Sequence, residues 1–184
     1  MKLYVGIDPS YTGTGIVVLN KDSGVLACTK VKAPSEGSDI MRALAVRNEV
    51  FEIITSCGAH VLGSNRPFVA IENYSLNSKF GLAMAATLGT VLRMGLIDRD
   101  WLYVEPSPQS VKAFALMAKG KGARSKKQKP VKEAQAIWGF KHKSNDVVDA
   151  YVLAQIARSA GGAHALGQLD ARQLEVVAGL KVIC

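Results

Sequence analysis

The first 31 residues leave little room for anything but a β-meander. "KLYVGID" is an apolar run with aromatic and β-branched residues, a strand ending at Asp8. "PSYTGTG" is a turn, "IVVLN" a second strand, "KDSG" a hairpin turn and "VLACTKV" a third strand. Strands joined this tightly pair antiparallel, because a parallel crossover needs a dozen or more residues. Longer units then alternate. A polar stretch leads into a helix from about Asp39 to Cys57, with Ile40, Leu44, Val50, Phe51 and Ile54 mostly on one face. "PFVAIE" predicts a buried strand ending on Glu72, residues 79–96 a helix apolar nearly all round, and "WLYVE" a fifth strand. "PQSVKAFALMA" predicts a helix with Pro108 near its start, followed by a basic loop and a helix near 130–138. "SNDVVDAYVLAQIARSA" predicts a late apolar helix, and "QLDARQLEVVAGL" a short terminal one after Gly161-Gly162. The order predicts an α/β fold: a five-stranded mixed sheet, meander first and parallel strands after, flanked by helices.

At 184 residues and 48% hydrophobic content, one sizeable core is expected. The expected division is a main domain over 1–160 and a C-terminal extension over 161–184. No run of 18 apolar residues is present, so no membrane partner is expected, and the opening "MKLYVGIDPS" meets Asp8 too early for a signal peptide. Cys28, Cys57 and Cys184 form no CxxC pair, which fits free thiols in a reducing cytoplasm.

Charge is concentrated in one place. Residues 119–143 hold nine Lys or Arg against the single acid Glu133, which is the whole net excess of +8; elsewhere fourteen basic residues meet fourteen acidic ones. Such a patch points to a polyanion, above all nucleic-acid phosphate, the bland alternative being a solvated loop. Lys119, Lys121, Arg124, Lys126, Lys127, Lys129 and Lys132, with Lys112 just upstream, are the expected backbone contacts.

The acidic residues carry the chemistry. Asp8 and Glu72 each end a strand, while Asp146 and Asp149 lie one turn apart on one face of a helix start. First-turn aspartates behind Ser144 or Asn145 also suit simple capping, and a carboxylate closing an apolar run is often a turn former. Four carboxylates from three segments, however, can converge at the sheet's edge. They would then repel one another until divalent cations relieved them, and hard oxygen ligands suit Mg²⁺. Two such ions can clamp a phosphate and activate a water. Glu105, a rival at the end of the fifth strand, is left out because "PSPQS" after it reads as a helix entry.

"GIDPSYTGTGIVVL", "VAIENY", "PSPQSVKAFA", "GKGARSKKQ" and "NDVVDAYVLAQ" occur in the order found in RuvC-type Holliday-junction resolvases, within the RNase H-like nuclease superfamily. The chain resembles that family over roughly residues 3–158. The resemblance implies an RNase H-like fold and a crossover-junction endodeoxyribonuclease, with Asp8, Glu72, Asp146 and Asp149 as the catalytic, metal-binding tetrad. It implies two Mg²⁺ ions, with Mn²⁺ able to substitute, no small-molecule cofactor, and branched four-way DNA as partner. Lys112 and Lys126 fall where the family has basic residues near the cleaved strand. Two positions depart from the pattern, as in a divergent, phage-borne member. Ser10 stands where the family has glycine, and Tyr74, the match to an aromatic that wedges the junction, lies two residues after Glu72 rather than three.

Two symmetric cuts imply a two-fold dimer, for which helix 79–96, with Gly81, Ala85 and Gly89, is the candidate interface; burial in the monomer's own core is the competing reading. His142 and His60 are available bases, and His142, inside the basic run, reads better as a phosphate contact. Three rivals remain. The glycine-rich first turn also resembles the phosphate loop of the actin, Hsp70 and sugar-kinase superfamily, whose members need two such domains. A non-cleaving nucleic-acid binder would keep the fold, although four carboxylates would cost it affinity. The same nuclease acting on RNA–DNA hybrids or flaps would keep the site.

Overall fold

A computed structural model describes residues 1–59, 66–73, 82–115, 137–164 and 169–184. His60, Tyr74, Gly81, Lys119, Lys121, Arg124, Lys126, Lys127, Lys129, Lys132 and most of the helix expected near 130–138 lie outside the described residues.

The meander forms as the turn residues dictate: β1 (Tyr4–Asp8), β2 (Thr14–Leu19) and β3 (Val25–Val31) pair antiparallel in sequence order. The first turn is held by Thr14, whose buried hydroxyl donates to the Ser10 carbonyl at 3.0 Å. β4 (Phe68–Ile71) pairs parallel with β1, and β5 (Leu102–Val104) parallel with β4, giving one sheet in the order β3-β2-β1-β4-β5.

Side-chain alternation divides the core into two layers. Val5, Ile7, Ile16, Val18, Val69 and Ile71 face α1 (Asp39–Ser56) and α2 (Leu82–Ile97), where Phe51, Leu88, Leu92, Leu96 and Trp101 complete the packing. Tyr4, Val17, Leu19, Phe68 and Ala70 face the other way, against α3 (Pro108–Ala115), α4 (Asn145–Ala160) and α5 (Ala171–Ala178). α4 is buried along almost its whole length, through Val147, Ala150, Leu153, Ala154 and Ala157. The expected apolar helix 79–96 is described from Leu82. It turns Leu88, Leu92 and Leu96 inward while Met94 and Ile97 stay more than half exposed.

Beyond Ala160 the chain packs back on the same layer. Val176, Val177 and Leu180 lie against it, buried Gln173 donates to the Phe114 carbonyl at 3.2 Å, and Ile183 exchanges backbone hydrogen bonds with Tyr103 of β5. No helix among the described residues is long and apolar enough to cross a membrane.

Candidate metal centre

Register places the first two carboxylates. Ile7 of β1 lies opposite Ile71 of β4, so Asp8 and Glu72 are adjacent, and the Glu72 N–H donates to the Ile7 carbonyl at 3.0 Å. Both share parity with Tyr4, Phe68 and Ala70, which puts them on the face covered by α4.

Two glycines bring α4 to that face. A Cβ at Gly6 would stand 1.9 Å from the Ala150 carbonyl oxygen, and one at Gly15 would stand 2.0 Å from that of Asp146. The helix backbone therefore rests directly on β1 and β2, and its first turn delivers Asp146 and Asp149 beside Asp8 and Glu72. Ser144 occupies the N-cap position, yet its side chain makes no capping hydrogen bond; the hydroxyl donates instead to Asp146 Oδ2 at 3.2 Å. The first-turn acids thus face the sheet's carboxylates, and the serine serves one of them.

The electrostatics follow from crowding. Burial pushes the Asp8 carboxyl up to about 8, with Glu72, Asp149 and Asp146 adding repulsion. Glu72 is pushed up to about 7 by burial and the charge of Asp149, and Asp149 to about 6 by burial and Asp146. The Asp8 and Glu72 side chains lie close enough to act on each other, which raises Asp8 further and draws Glu72 back down. Lys112 on α3 is exposed and pulls both Glu72 and Asp149 back down. On the opposite side Lys30 of β3 donates to Asp146 Oδ2 at 2.5 Å.

Among the described residues, no three acidic, histidine or cysteine side chains close into a ready-made ion cage. Asp146 is instead held by the Lys30 ammonium. The donor set nonetheless fits a hard divalent cation. All four groups are carboxylates, and Asp149 Oδ1 is buried with no hydrogen-bond partner. Such an oxygen is costly to bury unless something binds it.

Arg93 and Lys30 are site residues that no sequence pattern singles out. Arg93 on α2 ion-pairs with Glu105 and donates to the Glu72 carbonyl at 3.1 Å, steadying the end of β4. Glu105 is thereby tied to Arg93. Lys30 stands 116 residues from the aspartate it meets, so no local pattern announces it. Gly6 did carry a signal, since an isolated glycine within a strand marks close backbone approach. His142 accepts the Ser144 N–H at Nδ1, at 3.1 Å, immediately before α4.

No family model matches the chain, and no curated protein matches it by sequence. Solved structures do. Thermus thermophilus RuvC in complex with Holliday junction substrate superposes with a TM-score of 0.63 at 17% identity, over 89% of this chain and 98% of that one. Another Thermus thermophilus RuvC structure gives 0.64 at 17% identity, over 86% and 95%. The fold is that of RuvC. The RuvC-like sheet and flanking helices expected from the motifs are thus present, at an identity that speaks for the fold alone.

Proposed function

We propose that this chain is a divalent-cation-dependent endonuclease that cleaves four-way or related branched DNA. The observation that carries the reading is the meeting of Asp8, Glu72, Asp146 and Asp149 from three segments, with a buried, unpartnered Asp149 oxygen among them. The RuvC-like fold supports it, since one of the matching structures holds a Holliday junction substrate.

Two divalent cations, Mg²⁺ or Mn²⁺, bound by these carboxylates would activate a water for in-line attack and stabilise the leaving 3′-oxygen. The chain's own residues do the rest. Asp8 and Glu72 present carboxylates from adjacent strands, Asp146 and Asp149 face them from α4, and Arg93 holds the Glu72 backbone. Lys112 stands at the rim as a phosphate contact. The basic run from Lys119 to Lys143 supplies further backbone contacts, which makes binding strongly salt-dependent and directed mostly by shape. A two-fold dimer through helix 79–96 would present two such sites for paired cuts.

Asp8→Asn tests the assignment. With Mg²⁺ and a labelled four-way junction, the variant loses cleavage while binding the junction as tightly as the wild type or tighter, because one repulsive carboxylate has gone. Cleavage at the wild-type rate would show that the metal centre lies elsewhere.

A further inference from the structure

On the β3 side of Asp146 a cleft of about 670 Å³ opens between the sheet's outer strand and the start of α4. Lys30 and Lys32 line one wall, and His142 and Lys143 the other. Asp146 is the only carboxylate among the lining residues, and Lys30 already matches it. Lys32 and Lys143 are exposed, and among the described residues neither forms an ion pair.

The second wall is held firmly. Phe140 stacks on Tyr151 of α4 with ring centroids 3.9 Å apart and planes 5° from parallel, and His142 stacks on Phe140 in turn. The backbone that carries Lys143 is therefore anchored beside the start of α4. Uncompensated positive charge along both walls of an open cleft suits an extended polyanion. The cleft ends at Asp146, the carboxylate of α4 that Lys30 holds, while Lys112 acts on Glu72 and Asp149 from α3.

We infer that this cleft seats the phosphodiester backbone of the strand being cut on one side of the reacting phosphate, with Lys32 and Lys143 as its contacts. The inference rests on the nuclease reading and adds to it a path for the strand, from the β3 cleft across the carboxylates to Lys112. These contacts are separate from the basic run at 119–132.

The cleft contains its own reporter. Cys28 is exposed and lines it, whereas Cys184 is exposed next to Ile183, which pairs with β5 at the opposite edge of the sheet. Maleimide labelling of both thiols, read by mass spectrometry in EDTA, is compared for free protein, saturating four-way junction, matched single strand and inorganic phosphate at equal ionic strength. The junction is expected to slow Cys28 several-fold and leave Cys184 unchanged. In parallel, a Lys32→Ala/Lys143→Ala variant is expected to flatten the salt dependence of junction binding by about 0.9 for each phosphate no longer neutralised.

Cys28 labelling at the free-protein rate while a gel shift shows junction bound, or an unchanged salt slope, would overturn the cleft. Protection by inorganic phosphate equal to that by DNA would reduce it to an anion pocket and overturn the strand path. Protection of Cys28 by a junction that Mg²⁺ does not cause to be cut would support the backbone site and overturn the nuclease reading. Absence of any DNA binding would overturn both.

Discussion

The carboxylates at this site are kept together against their own repulsion, which has a measurable consequence. Asp8, Glu72 and Asp149 are all pushed above their ordinary range, by burial first and by one another next. A group whose folded pKa is raised binds its proton more tightly in the folded chain. It contributes stability fully below the unfolded value and loses that contribution as pH rises through the folded value. Without divalent cations, the melting temperature is therefore expected to fall between about pH 4 and pH 8. Asp8→Asn should raise the melting temperature at pH 8, since the charge that burial and the neighbouring carboxylates disfavour is gone. Thermal melts across that range, with and without Mg²⁺, check both points. A flat profile, or a variant less stable than wild type at pH 8, would show that the acids are not in conflict. Part of this site is legible in the sequence. Asp8 and Glu72 end apolar runs, and Asp146 and Asp149 share a helix face. Lys30 is not, because its partnership with Asp146 is made only by the tertiary fold.

At the scale of elements, the site depends on how closely α4 lies on the sheet. Gly6 and Gly15 leave the helix backbone no room for a side chain beneath it. Gly15→Ala places a methyl against the Asp146 carbonyl, where backbone must shift, and should destabilise the fold by roughly 3 kcal/mol. It should also move Asp146 and reduce cleavage beyond what the lost stability explains. Denaturant melts paired with junction cleavage at low temperature measure the two effects separately. Normal stability and activity would mean that α4 has slack on β2. The elements themselves are largely legible: the meander, the parallel strands and α1 fall where turn residues and periodicity put them. Less so is β4, which ends at Ile71, one residue before Glu72, because pairing with β1 stops there. Nor could composition foretell that Ile183 would pair with β5 while Gln173 reaches the Phe114 carbonyl, since those contacts join distant parts of the chain.

For the whole molecule, the proposed dimer on DNA places a definite demand on the exposed side of α2. Leu88, Leu92 and Leu96 occupy the inner face of α2, and Met94 and Ile97 stand exposed outside it. With a two-fold partner on that face, the protein should sediment as a dimer at micromolar concentration with junction DNA present. Met94→Lys should shift it to monomer without unfolding it, and a monomeric wild type under those conditions would rule out the dimer.

We propose that this RuvC-like fold uses its four carboxylates to cut branched DNA. The most direct measurement sets a labelled four-way junction, a matched linear duplex and an RNA–DNA hybrid side by side with Mg²⁺, wild type against Asp8→Asn. Paired nicks in the junction alone, lost in the variant, are the predicted result. Cutting of the hybrid in place of the junction would keep the metal centre and contradict the substrate. Binding of the junction with no cutting of any substrate would mean that the protein is not a nuclease.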